Sequence, residues 1–197
     1  DVYKRQHRMV TKQVSFYEEI TNVPFIIAGP GIHPRQKPVE DLLTQPTIDL
    51  LPTLCELAGI PVPSSKPGIS LAPFLKGEKQ KRQHPYAASE WHSEYEVTVS
   101  PGRMIRSPRY KYTHYLEGNG EELYDMLKDK GERRNLAHDP KYSKILAEHR
   151  ALLDDYIRRT QDDYRSLKVE ADKRWRSHAP GYPNHEGPCA RDIINRK

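Results

Sequence analysis

The chain contains few cysteines, no long apolar run and no basic cluster. Its two cysteines, Cys55 and Cys189, are far apart and form no CxxC metal or redox motif. No apolar stretch is long enough to span a membrane. The 32 Lys and Arg residues are scattered among 27 Asp and Glu residues, with no basic run interleaved with aromatics. This pattern favours a solvated surface, with affinity for an anionic substrate as the alternative, and argues against nucleic-acid binding.

The start of the chain carries neither an initiator Met nor a signal-peptide pattern. Its first six residues, 1–6, resemble a translated sequencing-adapter remnant. We therefore exclude them from functional reasoning, and the missing signal gives no information on export.

The first part of the chain has the order strand, loop, helix. Residues 23–28 form a short β-branched apolar run that ends at Gly29-Pro30-Gly31, which predicts a buried strand. A helix is predicted to follow, with Asp49 as N-cap, Pro52 in its first turn and Gly59 at its end. Its apolar face is predicted to consist of Leu51, Leu54, Cys55 and Ala58. This order predicts an α/β class with layers of helices and a mostly parallel sheet.

From residue 86 the pattern changes to short strands separated by turns. Strands are predicted at 86–92, 103–106, 110–115 and 122–124, which suggests an antiparallel sheet. Asp139-Pro140 is expected to open a helix over about 140–161 that covers one face of this sheet. Residues 162–197 show no periodicity and are predicted to form an irregular tail.

Two blocks of sequence resemble the alkaline-phosphatase-like sulfatase family. The first runs from His7 through Lys12 to Gly31 and is similar to the family's His-x4-Lys stretch, Tyr-Glu-Glu turn and Val-Pro strand ending in Gly-Pro-Gly. The second pairs Glu122-Leu123-Tyr124-Asp125 with Asn135-Leu136-Ala137, as in the family's C-terminal subdomain. The resemblance covers residues 7 to about 160 in the family's order.

The resemblance implies an end of an alkaline-phosphatase-like α/β/α domain over 7–85. A small C-terminal subdomain with an antiparallel sheet and a packed helix is expected to follow over 86–161. The implied activity is hydrolysis of sulfate esters, in particular of sulfated carbohydrates, by a longer parent chain. The family also implies a periplasmic or secreted parent; the sequence itself leaves localisation open.

Lys12 matches the lysine with which the family binds sulfate. A fixed ammonium near the sulfuryl oxygens stabilises their transition-state charge more than that of the ground state. A lysine taken alone is usually a solvated surface residue, so the role depends on the motif.

Two histidines match weaker positions of the resemblance. His7 corresponds to a histidine that would bind sulfate or protonate the leaving group, against the alternative of a polar loop residue. His92 corresponds to a position that lines the substrate pocket, against the alternative of an aromatic cluster with Trp91 that packs between subdomains. Arg103, Arg106 and Arg109 are interpreted as decorating the sheet rather than forming a rim that binds an anionic substrate.

The family's nucleophile and metal ligands have no counterpart in this chain. Neither Cys55 nor Cys189 lies in a Cys/Ser-x-Pro-x-Arg motif, the site of formylglycine formation. No metal ligands are assigned, so Ca²⁺, the expected divalent metal, and formylglycine are expected in the parent enzyme and not in this chain. The chain alone is therefore expected to be inactive. The alternatives are a phosphodiesterase or phosphonate hydrolase of the same superfamily, and a non-catalytic carbohydrate-binding module built on the sheet.

Overall fold

A four-stranded antiparallel sheet organises the second half of the chain. The computed structural model describes residues 15–35, 37–39, 42–79, 84–91, 101–116 and 120–167. Strands β1 (Ala87–Trp91), β2 (Gly102–Arg106), β3 (Tyr110–Tyr115) and β4 (Glu121–Asp125) lie side by side in chain order. Each strand pairs antiparallel with its sequence neighbour, so the sheet is a meander. The predicted antiparallel sheet is confirmed.

One face of the sheet packs against the helix α4 (Ser143–Thr160). Ile105, Tyr112 and Leu123 lie opposite one another on adjacent strands and form a row on this face. They join Leu146 and Leu153 of α4 in one buried cluster. Complete burial of an aliphatic side chain contributes about 2 kcal/mol, so this helix–sheet contact is the main apolar core of the subdomain. The predicted packed helix is confirmed.

Side-chain caps fix both the start of α4 and the exposed edge of the sheet. Asp139 accepts a hydrogen bond from the Lys141 amide at 3.1 Å, and the 3₁₀ turn Pro140–Tyr142 leads into α4. Asn135 Oδ1 accepts from the Leu123 amide at 3.0 Å, and its Nδ2 donates to the Glu121 carbonyl at 3.0 Å. The Asn-Leu-Ala segment thereby satisfies main-chain groups of β4 that no neighbouring strand pairs.

Two histidines belong to this helix–sheet layer, the buried His149 and the half-buried His114. Burial lowers the pKa of His149, whose ring lies 2.9 Å from Ser107 Oγ and 2.8 Å from the Ile145 carbonyl. Burial also lowers the pKa of His114, whose Nδ1 lies 2.7 Å from the Tyr164 hydroxyl. Both rings are therefore neutral in the folded chain at neutral pH.

Acidification below pH 6.5 should reduce the stability of the chain. The unfolded chain binds protons at its histidines near pH 6.5, whereas His114 and His149 bind them only at lower pH when folded. Unfolding therefore takes up protons in this window, and stability falls as pH falls. Urea unfolding between pH 5 and pH 8 measures the slope. His149→Gln should flatten it, His138→Gln at an exposed site should not, and equal slopes for both variants would contradict the assignment.

The first half of the described chain contains three helices. They are α1 (Glu18–Thr21), α2 (Pro46–Leu57) and α3 (Ala72–Leu75). Helix α2 begins three residues before the predicted N-cap Asp49, because Pro46 at the first helical position has the φ that a helix needs and no N–H to satisfy. Asp49 lies inside the helix and accepts hydrogen bonds from the amides of Gln45 at 2.7 Å and Ile69 at 2.8 Å.

The prediction of the buried face of α2 was wrong. Asp49, Pro52 and Thr53 are buried, whereas Leu51 and Leu54 are 46% and 51% exposed. The polar face is buried because the segment before α3 bonds to it, with the Leu71 amide donating to Thr53 Oγ1 at 3.0 Å. No element of the described residues covers the leucine face. Cys55 is correspondingly half-buried rather than a core residue.

The buried strand predicted at 23–28 is also absent. These residues have no regular secondary structure, and Val23 and Ile26 are 52% and 86% exposed. A strand requires a hydrogen-bonded neighbour, and within the described ranges none lies beside this segment. The apolar segment 23–28 therefore pairs with no strand within the described ranges. Among the described helices, none has both the length and the apolar character of a membrane span.

Substitution of Gly68 by alanine should be strongly destabilising. Gly68 has φ of +114°, and a Cβ atom there would lie 2.1 Å from the Ile48 carbonyl oxygen of α2. Both the strain and the clash are costly, so we expect a loss of at least about 3 kcal/mol. Gly59→Ala is the matched control, because Gly59 also has positive φ but no atom near its Cβ position; it should cost about 1 kcal/mol. Equal losses in urea unfolding would contradict the packing argument.

Candidate functional site

The three predicted site residues lie outside the described residues. Lys12 and His7 precede residue 15, and His92 follows β1 directly. The structure therefore does not test their roles, and it describes the chain that follows Lys12 and the chain that precedes His92. Phe16 is four residues after Lys12, and Trp91 is the residue before His92.

These two flanking residues converge at one end of the sheet. Gly102 of β2 pairs with Trp91 on one side and with Tyr115 on the other. The Phe16 ring covers Gly102: a Cβ atom at residue 102 would lie 2.7 Å from Phe16 Cε2. The same ring lies 5.8 Å from the Tyr115 ring, centroid to centroid. The absence of a side chain at Gly102 thus lets segment 15–21 approach the end of β1.

Segment 15–21 is held along the sheet face opposite α4 by the buried Lys111 of β3. Lys111 is 1% exposed, and its Nζ donates to the Phe16 carbonyl at 2.7 Å and to Thr21 Oγ1 at 3.3 Å. The ammonium also forms ion pairs with Glu18 Oε1 at 2.7 Å and Glu132 Oε1 at 2.9 Å. Three of these four oxygens belong to the segment that follows Lys12.

The Glu132 side chain holds the same segment by binding a main-chain amide of that segment. Its Oε2 accepts a hydrogen bond from the Glu18 amide at 2.7 Å. Burial raises the pKa of Glu132, while Lys111 acts in the opposite direction. Arg106, the strand neighbour of Lys111, adds a second cation: burial lowers its pKa, while Glu18 and Glu132 act to raise it. The carboxylates of Glu18 and Glu132 therefore pair with the buried Lys111 ammonium, and the half-buried Arg106 adds positive charge nearby.

The Tyr-Glu-Glu turn packs as a structural element in this arrangement. The ring centroids of Tyr17 and Tyr124 lie 6.3 Å apart, next to Met126. Burial, with the nearby carboxylate of Glu122, raises the pKa of both hydroxyls. Tyr17 therefore stays neutral, and its packing gives this turn a structural role.

Arg103 holds the other flank, at the end of β1. This side chain is 2% exposed and forms a bidentate ion pair with Asp162, with Nε and Nη2 at 2.6 and 2.8 Å from the carboxylate oxygens. Its Nη1 donates to the Trp91 carbonyl at 2.9 Å, and its guanidinium lies 4.5 Å from the Tyr164 ring centroid. The residues after α4 are thereby fastened to the residue before His92.

The three arginines do not form an anion-binding rim. Arg103 is buried in its pair with Asp162, Arg106 is half-buried beside the Lys111 cluster, and Arg109 pairs with Asp125 at 2.7 Å. The sheet interpretation is confirmed. Near the predicted site, the Trp91 indole Nε1 is buried without a hydrogen-bond acceptor among the described residues, so a donor remains next to His92 in the sequence.

The described residues do not supply a metal site. Within them, no group of three His, Cys, Asp or Glu side chains could hold a metal ion. The divalent metal implied by the resemblance does not fit this part of the chain, and no chemical step is assigned to it here.

The chain is similar in sequence to known proteins. Residues 6–159 match the family model described as N-sulphoglucosamine sulphohydrolase, C-terminal. The chain is 76% identical over 191 residues to a Delta 4,5-hexuronate-2-O-sulfatase of Bacteroides thetaiotaomicron, which covers 97% of this chain and 40% of the relative. It is 33% identical over 140 residues to Arylsulfatase K of Canis lupus familiaris, which covers 67% of this chain and 25% of the relative.

A solved structure gives the same result for the fold. The structure described as a 2-O GAG sulfatase superposes with a TM-score of 0.83 at 76% identity, over 95% of this chain and 40% of that one. The predicted fold class, α/β with a C-terminal antiparallel sheet and a packed helix, is confirmed. The chain thus spans about two fifths of the length of the Delta 4,5-hexuronate-2-O-sulfatase and of this solved structure. It belongs to the sulfatase family, and corresponds to the C-terminal part described by the N-sulphoglucosamine sulphohydrolase model.

Proposed function

We propose that this chain is the C-terminal part of a longer sulfatase that hydrolyses sulfate esters of carbohydrates. The convergence of Phe16 and Trp91 on Gly102 carries the proposal, because it brings the chain that follows Lys12 close to the chain that precedes His92. Lys12 is at most about 14 Å from Phe16 along an extended chain. Both residues can therefore reach one substrate.

The proposed role of Lys12 is to bind the sulfate. Cleavage of the ester S–O bond by water increases the negative charge on the sulfuryl and leaving-group oxygens, and a fixed ammonium stabilises that charge. We assign His7 to sulfate binding or to protonation of the leaving group. We assign His92 to the carbohydrate side of the pocket, where the unpartnered Trp91 Nε1 offers a further donor.

The substrate we propose is a 2-O-sulfated unsaturated uronate. The support is the relative whose name specifies Delta 4,5-hexuronate-2-O-sulfatase activity, at 76% identity over 97% of this chain. We further propose that the longer chain supplies a divalent metal, Ca²⁺, and a formylglycine nucleophile outside the described residues. Both follow from the family resemblance.

Assays of the longer protein test this proposal. We expect sulfate release from a 2-O-sulfated unsaturated disaccharide, and much slower hydrolysis of a matched 6-O-sulfated disaccharide and of aryl phosphonate and phosphodiester substrates. Preferred hydrolysis of the phosphorus esters would support the rival hydrolase of the same superfamily. Binding of the sulfated disaccharide without turnover would support the carbohydrate-binding module.

A further inference from the structure

Burial of the charged cluster around Lys111 costs free energy, so the presence of these charges in the fold needs a physical reason. Moving an ammonium and a carboxylate out of water costs several kcal/mol each, and well-packed apolar residues often stabilise a fold as well or better. Lys111 and Glu132 are each 1–2% exposed. The helix–sheet core lies on the opposite face of the sheet, so it does not need these charges.

The contacts of the cluster are directed at main-chain atoms of one segment. Lys111 Nζ binds the Phe16 carbonyl oxygen, and Glu132 Oε2 binds the Glu18 amide. Apolar packing permits a segment to slide along a sheet, whereas hydrogen bonds to a specific carbonyl and a specific amide fix its register. Lys111 is 95 residues from Phe16 in the sequence, and Glu132 is 114 residues from Glu18.

Glu132 has an unfavourable backbone conformation at the point where its side chain contacts segment 16–21. Glu132 has φ of +49°, a left-handed conformation for a residue with a side chain. Such a conformation is unfavourable for a residue with a Cβ atom and persists where its surroundings enforce it. Here it presents the carboxylate to the Glu18 amide and to Lys111 at the same time.

We propose that Lys111 and Glu132 are positioning residues for the sulfate-binding lysine. They fix segment 16–21 against the sheet, and through it the chain that leads to Lys12, four residues before Phe16. This inference rests on the proposed function of Lys12. A misplacement of about 1 Å at a reacting group can cost about 100-fold in rate, so a loosened segment should impair catalysis even when the fold persists.

The first experiment measures the anchoring itself, in this 197-residue chain. Hydrogen exchange of Lys111→Met should be faster over residues 16–21 and unchanged over α4. Lys141→Met, at an exposed lysine near α4, is the matched control and should change neither. If Lys111→Met unfolds the chain, Glu18→Ala removes one contact at the partly exposed rim and should loosen the same segment. Unchanged exchange over 16–21 in a folded variant would overturn the proposal.

The second experiment measures the effect on catalysis, in the longer protein. Lys111→Met should lower kcat for sulfate-ester hydrolysis at least about tenfold. When it is combined with Lys12→Ala, kcat should fall by no more than about a further twofold below that of Lys12→Ala alone, because both changes act through the Lys12 ammonium. Multiplied losses in the double variant would indicate a general structural role and overturn the proposal. If the wild-type protein is inactive on sulfate esters, the proposed function is refuted instead. The hydrogen-exchange experiment still decides whether Lys111 anchors segment 16–21.

Discussion

Replacing Lys12 by alanine in the longer protein should lower kcat/KM for sulfate-ester hydrolysis by at least about 100-fold. A preorganised charge partner of a developing oxyanion contributes about 3 to 4 kcal/mol to transition-state stabilisation. The loss should fall largely on kcat, because the ammonium acts on charge that increases in the transition state. Steady-state kinetics with the 2-O-sulfated disaccharide measure both constants.

Matched controls separate this role from general surface charge. Lys37→Ala removes an exposed lysine of the same half of the chain and should leave kcat/KM within about twofold, since an isolated surface charge contributes little. Lys12→Arg keeps the charge but changes its geometry, and should recover part of the activity. Wild-type kinetics in Lys12→Ala would show that Lys12 is an ordinary surface residue.

Replacing Arg103 by leucine should lower the free energy of unfolding of this chain by about 3 kcal/mol. The substitution leaves Asp162, 9% exposed, without its cation and the Trp91 carbonyl without its donor. Removal of one partner from a buried ion pair costs about 3–5 kcal/mol, because the remaining charge is buried and unpaired. Urea unfolding at pH 7 measures the loss.

The control for this prediction is an exposed arginine in the same helix–sheet unit. Arg158 pairs with Asp155, with exposed fractions of 77% and 38%. Arg158→Leu should change the free energy of unfolding by no more than about 0.5 kcal/mol. Arg103→Lys should lie between the two, because an ammonium cannot reproduce the bidentate contact with Asp162. Similar losses for Arg103→Leu and Arg158→Leu would contradict the assigned role of Arg103.

The sheet and α4 were predictable from sequence because their signals are local. Short strands separated by turns, and an apolar stripe after Asp139-Pro140, report on structure that these residues form with their sequence neighbours. The predicted strand at 23–28 and the leucine face of α2 depend instead on elements that would cover them. Within the described residues no element covers them. An apolar pattern indicates a tendency to be buried, but it does not determine which element covers it.

The anchoring residues of the candidate site could not be predicted from sequence. Lys111 and Glu132 are separated by 90 or more residues from the segment they hold, and a lysine or glutamate is usually solvated. One signal was present. Lys111, Thr113 and Tyr115 lie on the same face of β3, and this face becomes buried when a sheet is covered on both sides. Recognising it required knowing that segment 15–21 covers the face opposite α4.

A structure of the longer protein with sulfate or a 2-O-sulfated sugar bound tests the central claim most directly. We predict that Lys12 Nζ lies within about 3.2 Å of a sulfate oxygen, with segment 16–21 seated on Lys111 and Glu132 as it is here. A bound sulfate more than about 6 Å from an ammonium that points into solvent would contradict the claim, because a water-screened charge at that distance contributes little.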